Sequence, residues 1–305
     1  MTPERLQSLF TLLDDPDPEI YQVAETELLT YAKHNRIQLR QLQKDFPALA
    51  SKIKIVFQKI AIPQIWQDLA DWHLTGGKDL LTPWLLLTKF EHPDIDTQQC
   101  KNQINRILNL IWLRQMPNMN MEQRLQQIHQ LLFDIESFRF GLAENKPTSG
   151  AYLLSDILDN KYTSFFPMML LFYVICQELD IPVQFIKVKS TDETCETRDK
   201  EAIYYFLRFF GEGTSRKISE FYLVMADNKD VGDAVIYNEK DFLDLIQLDK
   251  TRFNNTNFCA MSNIQIFREL SILLARTYSE DNALLCRHNL FIHELFKDIL
   301  VGFKK

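Results

Sequence analysis

The sequence predicts a helix-rich α+β fold: an N-terminal helical bundle, a core of one central helix packed on a small antiparallel sheet, and a C-terminal helical hairpin. Apolar residues recur at three- and four-residue steps through the first part of the chain, as in amphipathic helices. After Pro182, short runs of β-branched and aromatic residues are typical of strands. Helical periodicity returns towards the C terminus. We therefore expect domains at residues 1–140, 141–250 and 251–305.

The N-terminal region is punctuated by proline and glycine, which mark the expected ends of its helices. One helix starts at Pro18 with Glu19 in its first turn, where the helix dipole favours an acidic residue. We place the later breaks, and so the ends of the helices between them, at Pro47, Pro63, Gly76–Gly77, Pro93 and Pro117. The resulting helices span 37–44, 47–60, 63–74, 78–90, 97–115 and 121–136. Short connections between helices of this length favour antiparallel packing.

The core begins with "TSFFPMMLLFYVICQELDIPVQFIKV", Thr163–Val188, which predicts an apolar helix that ends at Asp180–Pro182 and continues as a strand. Ala202–Phe210, "EFYLVMA" and "DAVIYN" predict further strands, and "EKDFLDLIQL" predicts a helix. "SNIQIFRELSILLARTYSE" and "NALLCRHNLFIHELFKDILVGF" predict the two arms of the C-terminal hairpin. Trp84 and Trp112 sit among Leu and Ile at helical spacing, so we expect both to pack in the core.

Composition narrows the classes of partner and cofactor. A net charge of -7 disfavours nucleic acid as a partner, since phosphate binding needs a positive surface. Glycine-rich phosphate-binding motifs are absent, as are Cys-x-x-Cys and His-x-x-x-His, so we expect neither a cofactor nor a metal. The uncharged run Tyr162–Gln177 is too short to span a membrane. Five scattered Cys and an N terminus without an apolar leader predict a cytoplasmic protein.

Several patches occur in an order that resembles a known family. They are "LLDDPDPEIYQVAETELLTYA", "DLLTPWLLLTKFEHPDID", "LLFDIESFRF" and the core stretch with its turn Leu179-Asp180-Ile181-Pro182. Together they resemble the SirB-type transglutaminase-like family, a branch of the papain-like transglutaminase superfamily. Members of that family have a Leu-Gly-Leu-Pro-like turn after the core helix. The C-terminal hairpin takes the place of their tetratricopeptide-type repeats, although only one helical pair is present.

The resemblance also implies where catalytic residues would lie, and this chain departs from the pattern there. Active members of the superfamily have a Cys at the start of the core helix, a His on a following strand and an Asp on the next strand. The Cys position falls at or next to Phe165, and Glu220 is nearest to the His position. The Asp position falls near Asp230–Asp233. We therefore predict a remnant cleft in which Phe165, Glu220 and Asp233 converge, without catalytic residues.

Residue types alone lead to the same expectation. None of the six His lies between Ile135 and Arg287, so a Cys–His pair would need a His of the helical domain to reach across. Cys176 reads as a small buried hydrophobe, and carboxylates surround Cys195 and disfavour its thiolate. Phe165–Phe166–Pro167 predicts a helix start that is capped by Ser164 or Thr163. The aromatic side chains at this start either fill the core or line a ligand cleft.

The resulting hypothesis is a non-catalytic transglutaminase-like protein that binds, scaffolds or regulates another protein. The alternative is a cysteine-type hydrolase or amide-transferring enzyme with relocated catalytic residues. A third hypothesis is a regulatory module whose helical pair docks a partner helix. The sequence leaves the oligomeric state open.

Overall fold

In this computed structural model the chain is divided into two compact units. The structure describes residues 2–116, 118–141, 148–191, 201–212, 218–228, 231–248 and 257–277. The first unit comprises Met1–Trp72 and Leu85–Asp96, and the second comprises His73–Trp84 and Thr97–Lys305. The boundaries expected at residues 140 and 250 both fall within the second unit. Within the described ranges, no helix has the length and apolar character needed to cross a membrane.

The first unit is helical. Thr2 and Asp17 cap the first two helices, since their side-chain oxygens accept from the amides of Arg5 and Glu19. The unit buries an apolar core that includes Phe10, Leu28 and Phe57. Four helices start in the first unit: α1 (Pro3–Leu12), α2 (Pro18–His34), α3 (Arg36–Asp45) and α4 (Ala50–Leu74), with a 3₁₀ turn at Pro47–Leu49. The first unit also includes the later part of α5 (Leu81–Glu91).

The helix break predicted at Pro63 is wrong, because α4 continues through this proline. Proline inside a helix costs about 3 kcal/mol, since it lacks an amide donor and its ring crowds the preceding turn. Ile65 and Leu69 follow Pro63 on the buried face of α4. Burying such a side chain gains about 1.5–3 kcal/mol, so continuing the helix offsets the cost of the proline.

The second unit has a five-stranded antiparallel sheet in the order β6-β5-β4-β3-β7. Four of its strands were predicted, and β7, which pairs with β3, was not. A separate short parallel pair joins β1 to β2. The strands are β1 (Arg139–Phe140), β2 (Tyr162–Thr163), β3 (Val183–Thr191), β4 (Glu201–Glu212), β5 (Ile218–Asn228), β6 (Val231–Asn238) and β7 (Asn257–Ala260).

Helices cover both faces of this sheet. Alternation along β4 directs Tyr205 and Phe209 to one face, where they contact rings of the central helix, and Phe206 to the other, where it contacts Phe242. The helix-rich α+β class with an antiparallel sheet is therefore confirmed. The helices of this unit are α6 (Thr97–Arg114), α7 (Met121–His129), α8 (Leu154–Asn160), the central α9 (Phe165–Glu178), α10 (Glu239–Leu248) and α11 (Asn263–Thr277), with a π-helical turn at Gln130–Ile135 after α7.

The predicted C-terminal hairpin is described only in its first arm. α11 contacts the sheet through Glu269, whose carboxylate accepts from Tyr205 and pairs with Lys187. The second arm, from residue 278 onwards, lies outside the described residues. So does the charged loop that contains Cys195.

Candidate functional site

The central helix α9 is placed by burial and by the motif that ends it. Eleven of its residues are buried, including Leu170, Phe172 and Cys176. At its C terminus, the amide of Ile181 donates to the carbonyl of Cys176 at 2.9 Å and the amide of Asp180 donates to that of Gln177 at 3.1 Å. These two bonds form a Schellman motif, with Asp180 in the left-handed conformation at φ 54°. The helix therefore ends at the turn that the sequence predicts.

The N terminus of α9 is capped differently from the prediction. Ser164 is the N-cap residue, yet its hydroxyl bonds no amide of the helix. A serine cap normally accepts from the second or third amide of the helix, and the third residue here is Pro167, which has no N–H. The Ser164 hydroxyl is buried and has no hydrogen-bond partner among the described residues. Thr163, the other expected cap, instead donates to the carbonyl of Ala151 at 2.7 Å.

A row of four rings occupies the mouth of α9, by which we mean Phe165 and the side chains next to it. The ring of Phe165 packs edge-on against Phe140 of β1 at 5.3 Å between centroids. Phe140 contacts Phe133 at 5.7 Å, and Phe133 contacts His129 at 4.7 Å. Phe133 and Phe140 are buried. This packing is that of a filled core, the first of the two alternatives for Phe165.

His129 reaches from α7 to the sheet, across 105 residues of sequence. Its Nε2 lies 2.8 Å from the carbonyl oxygen of Ala234 in β6. A histidine of the helical region therefore approaches the sheet, but the contact is not the Cys–His pair that the sequence disfavoured. The atom that it meets is a backbone oxygen, so the contact ties α7 to β6.

Glu220 lies on the other face of the sheet from α9. It precedes Tyr222 by two residues, so both side chains share a face, and Tyr222 stacks on Phe242 of α10 at 3.8 Å. The Tyr222 hydroxyl donates to Glu220, and Arg208 lies 3.9 Å away as its ion-pair partner. Burial and this hydrogen bond raise the pKa of Tyr222 to about 12. Glu220 thus belongs to a Tyr–Arg–carboxylate group on the α10 side.

The predicted convergence of Phe165, Glu220 and Asp233 is therefore not observed for the first two residues, which lie on opposite faces of the sheet. The prediction failed because it aligned Glu220 by its distance along the chain, whereas strand register and alternation decide the face. Asp233 pairs with Ala226 in β5 and directly precedes the carbonyl-bearing Ala234 that His129 meets.

The described cysteines differ in burial. Cys176 is fully buried in α9, and burial strongly raises the pKa of its thiol. Cys100 is buried in α6, and Cys259 is exposed on β7. Among the described residues, no group of three or more His, Cys, Asp or Glu side chains is arranged to hold a metal ion.

An ionic cluster that the sequence did not predict lies between the sheet and α11. Glu269 accepts from the hydroxyl of Tyr205 at 2.8 Å and pairs with Lys187 at 2.7 Å. Burial, followed by the bond to Glu269, raises the pKa of Tyr205, so this hydroxyl stays protonated at neutral pH. Lys187, which lies between Ile186 and Val188 in β3, was the available signal. The cluster holds α11 on the sheet.

An exposed apolar surface at the end of α6 was also missed. Trp112, Leu113 and Met116 are 68%, 71% and 69% exposed. We call these three residues the α6 tip surface. The core position expected for Trp112 is therefore wrong, whereas Trp84 is fully buried and its indole N–H donates to the carbonyl of Tyr152 at 2.9 Å. Helical spacing could not separate the two, because α6 has apolar residues on both of its faces.

The ring row and the ionic groups form packing and tethering contacts, whereas the side chains of the α6 tip surface are exposed to solvent. Comparison of the chain with protein-family models, with curated proteins and with solved structures found no match.

Proposed function

We propose that this chain is a non-catalytic, transglutaminase-like protein that binds another protein through the α6 tip surface, in a scaffolding or regulatory role. The observation that carries the proposal is the exposure of Trp112 next to two other large apolar side chains. Water-exposed clusters of this kind mark interaction sites more often than scattered single residues do.

The residue types at this surface favour protein as the partner. Tryptophan is enriched among the residues that dominate binding energy at protein interfaces, and methionine adapts to the shape of a partner. Trp112 and Leu113 are in the last turn of α6, and Met116 follows two residues after the helix ends. Removing such an anchor typically lowers the binding free energy of an interface by at least about 2 kcal/mol.

The mouth of α9 supports a non-catalytic role. Phe165, at or next to the position of the family's thiol, packs against Phe140, and Glu220 is engaged by Tyr222 and Arg208. A reactive thiol needs exposure and a lowered pKa, whereas Cys176 is buried and its pKa is raised. The proposal also retains an N-terminal helical bundle and a C-terminal hairpin with α11 as its first arm.

Affinity capture with a matched pair of variants tests this function. We expect Leu113→Glu to remove a protein that the wild-type chain captures from its native cell extract. Leu74→Glu is the control, because Leu74 is also a leucine at the end of a helix and is 81% exposed. Both variants should keep the wild-type unfolding temperature, since exposed substitutions change stability by about 0.5 kcal/mol or less.

Two results would count against the proposal. One is a captured protein that both variants retain equally. The other is rapid, saturable labelling, by an active-site thiol probe, of a single cysteine other than the exposed Cys259. Such labelling would favour the alternative of a cysteine-type hydrolase or amide-transferring enzyme.

A further inference from the structure

The α6 tip surface lies at the end of a helix face that has no acidic residue. α6 buries Ile104, Ile107 and Ile111 on its inner face. On the outer face, Asn105 and Asn109 lead at helical spacing to Trp112, Leu113 and Met116. The outer face of α6 is therefore amide-rich over its middle turns, where Arg106 pairs with Glu136, and apolar at its end.

Charge around this surface has the opposite sign to that of the whole chain. The chain has a net charge of -7, yet no Asp or Glu occurs between Thr97 and Met121. Arg114 is exposed next to Leu113 and makes no ion pair within the described ranges. Arg124 donates to Gln115 at 3.4 Å and pairs with no carboxylate of the described residues. Two uncompensated guanidinium groups thus flank the apolar centre.

A polar groove borders the apolar centre on the α7 side. Met119 at its near end donates its amide to the carbonyl of Met116 at 3.1 Å, which joins the groove to the α6 tip surface. Glutamine amides both donate and accept, so they can bond the peptide groups of a partner segment. The groove has a volume of about 390 Å³ and is lined by Met119, Gln123, Gln126, Gln127, Gln130 and, at its far end, Asp134.

From these features we infer that the α6 tip surface receives an acidic amphipathic segment of another protein. Apolar anchors of that segment cover Trp112, Leu113 and Met116, and its carboxylates pair with Arg114 and Arg124. Asp134 repels acidic residues at the far end of the groove, so the acidic positions lie near the apolar centre. The inference rests on the proposed function and adds the chemistry of the partner to it. Arginine in such a position favours carboxylates through paired hydrogen bonds.

Selection from a displayed library tests the inference without knowledge of the partner. The probe is a library of random peptides of about 16 residues, enough for four helical turns, panned against the full chain. Peptides retained by the wild type and lost on Trp112→Glu define the binders of this surface. We expect these binders to be enriched in Asp and Glu beside large apolar residues. Their binding should weaken as salt rises, since exposed charges are screened.

A charge-reversal pair gives the control. Arg114→Glu should lower the affinity of the chain for the selected peptides by about 10-fold or more, because the substitution replaces attraction with repulsion at the rim of the site. Arg36→Glu, at an exposed arginine of α3 with the same change in charge, should leave binding unchanged.

The inference is overturned if the peptides that need Trp112 for binding lack an excess of acidic residues, or if Arg114→Glu does not weaken their binding. It is also overturned if no such peptide is selected. Failure of the proposed function is distinct from this. It appears as retention of every captured cellular protein by Leu113→Glu, whatever the composition of the selected peptides.

Discussion

The hydroxyl of Ser164 is buried at the start of α9 with no partner among the described residues, and Pro167 at the third helical position has no amide to donate to it. An unbonded buried hydroxyl costs about 1–3 kcal/mol of desolvation. We therefore expect Ser164→Ala to leave the free energy of unfolding unchanged or to raise it by about 1 kcal/mol, measured by urea denaturation.

Asn120 provides the comparison for this variant. Its side chain accepts from the amide of Gln123 at 2.9 Å and forms a complete capping box on α7. Asn120→Ala should lower the free energy of unfolding by about 1 kcal/mol. An equal loss in both variants would show that Ser164 is hydrogen-bonded in solution.

Glu136 lies between two cations at the end of the π-helical turn. Burial alone would raise the pKa of its carboxyl, but the bonds and charges of Arg106 and Lys161 lower it below the ordinary value of 4.5. A lowered pKa stabilises the fold above the unfolded value, and this stability is lost as pH falls through the folded pKa. Since Arg106 is half exposed, we expect Glu136→Gln to cost about 1 kcal/mol at neutral pH.

The pH dependence separates this effect from a loss of packing. The difference in free energy of unfolding between the wild type and Glu136→Gln should shrink as pH falls below 4.5. Glu178→Gln, at an exposed glutamate without an ion pair among the described residues, should show no such trend. A constant Glu136→Gln difference across this range would contradict the ionic explanation.

At the junction of α9 with β3, the helix ends and the strand starts within a few residues. Its Schellman motif requires left-handed backbone at Asp180, a conformation that glycine adopts without strain and aspartate adopts at some cost. We expect Asp180→Gly to raise the free energy of unfolding by about 0.5–1 kcal/mol, measured by denaturant titration.

A reciprocal change tests the same physics. Gly76 has φ 88°, and a side chain added there would meet no neighbouring atom. Gly76→Asp should therefore lower stability through backbone strain alone. If Asp180→Gly lowered stability instead, the aspartate side chain would have a role beyond the turn.

Local pattern predicted several elements closely. The ends of strands β3 to β6 and of α10 lie within three residues of their predicted positions, since alternation and helical periodicity are properties of short segments. The prediction failed where long-range burial competes with local preference, as at Pro63 in α4. It also failed for Trp112, whose spacing fits a helix but does not show which face of that helix meets the core.

At the scale of the whole molecule, the fold controls which thiols can react. Cys176 is fully buried in the central helix, while Cys259 is exposed on β7. We expect iodoacetamide to modify Cys259 readily and Cys176 only at the rate at which the core opens, with sites identified by mass spectrometry. In the Cys259→Ser variant, the slow modification of Cys176 by iodoacetamide should be unchanged. Fast labelling of Cys176 in the native state would contradict the burial of α9.

The sequence by itself determined most of the element types, the helix-to-strand junction at Asp180 and the charge pattern of α6, because these depend on neighbouring residues. Only the tertiary structure decided the contents of the mouth of α9, where rings from α7, the π-helical turn and β1 meet Phe165. It also placed Glu220 on the α10 face and exposed Trp112. These outcomes follow from contacts between segments far apart in the chain, which strand register and helix packing set and local pattern does not encode.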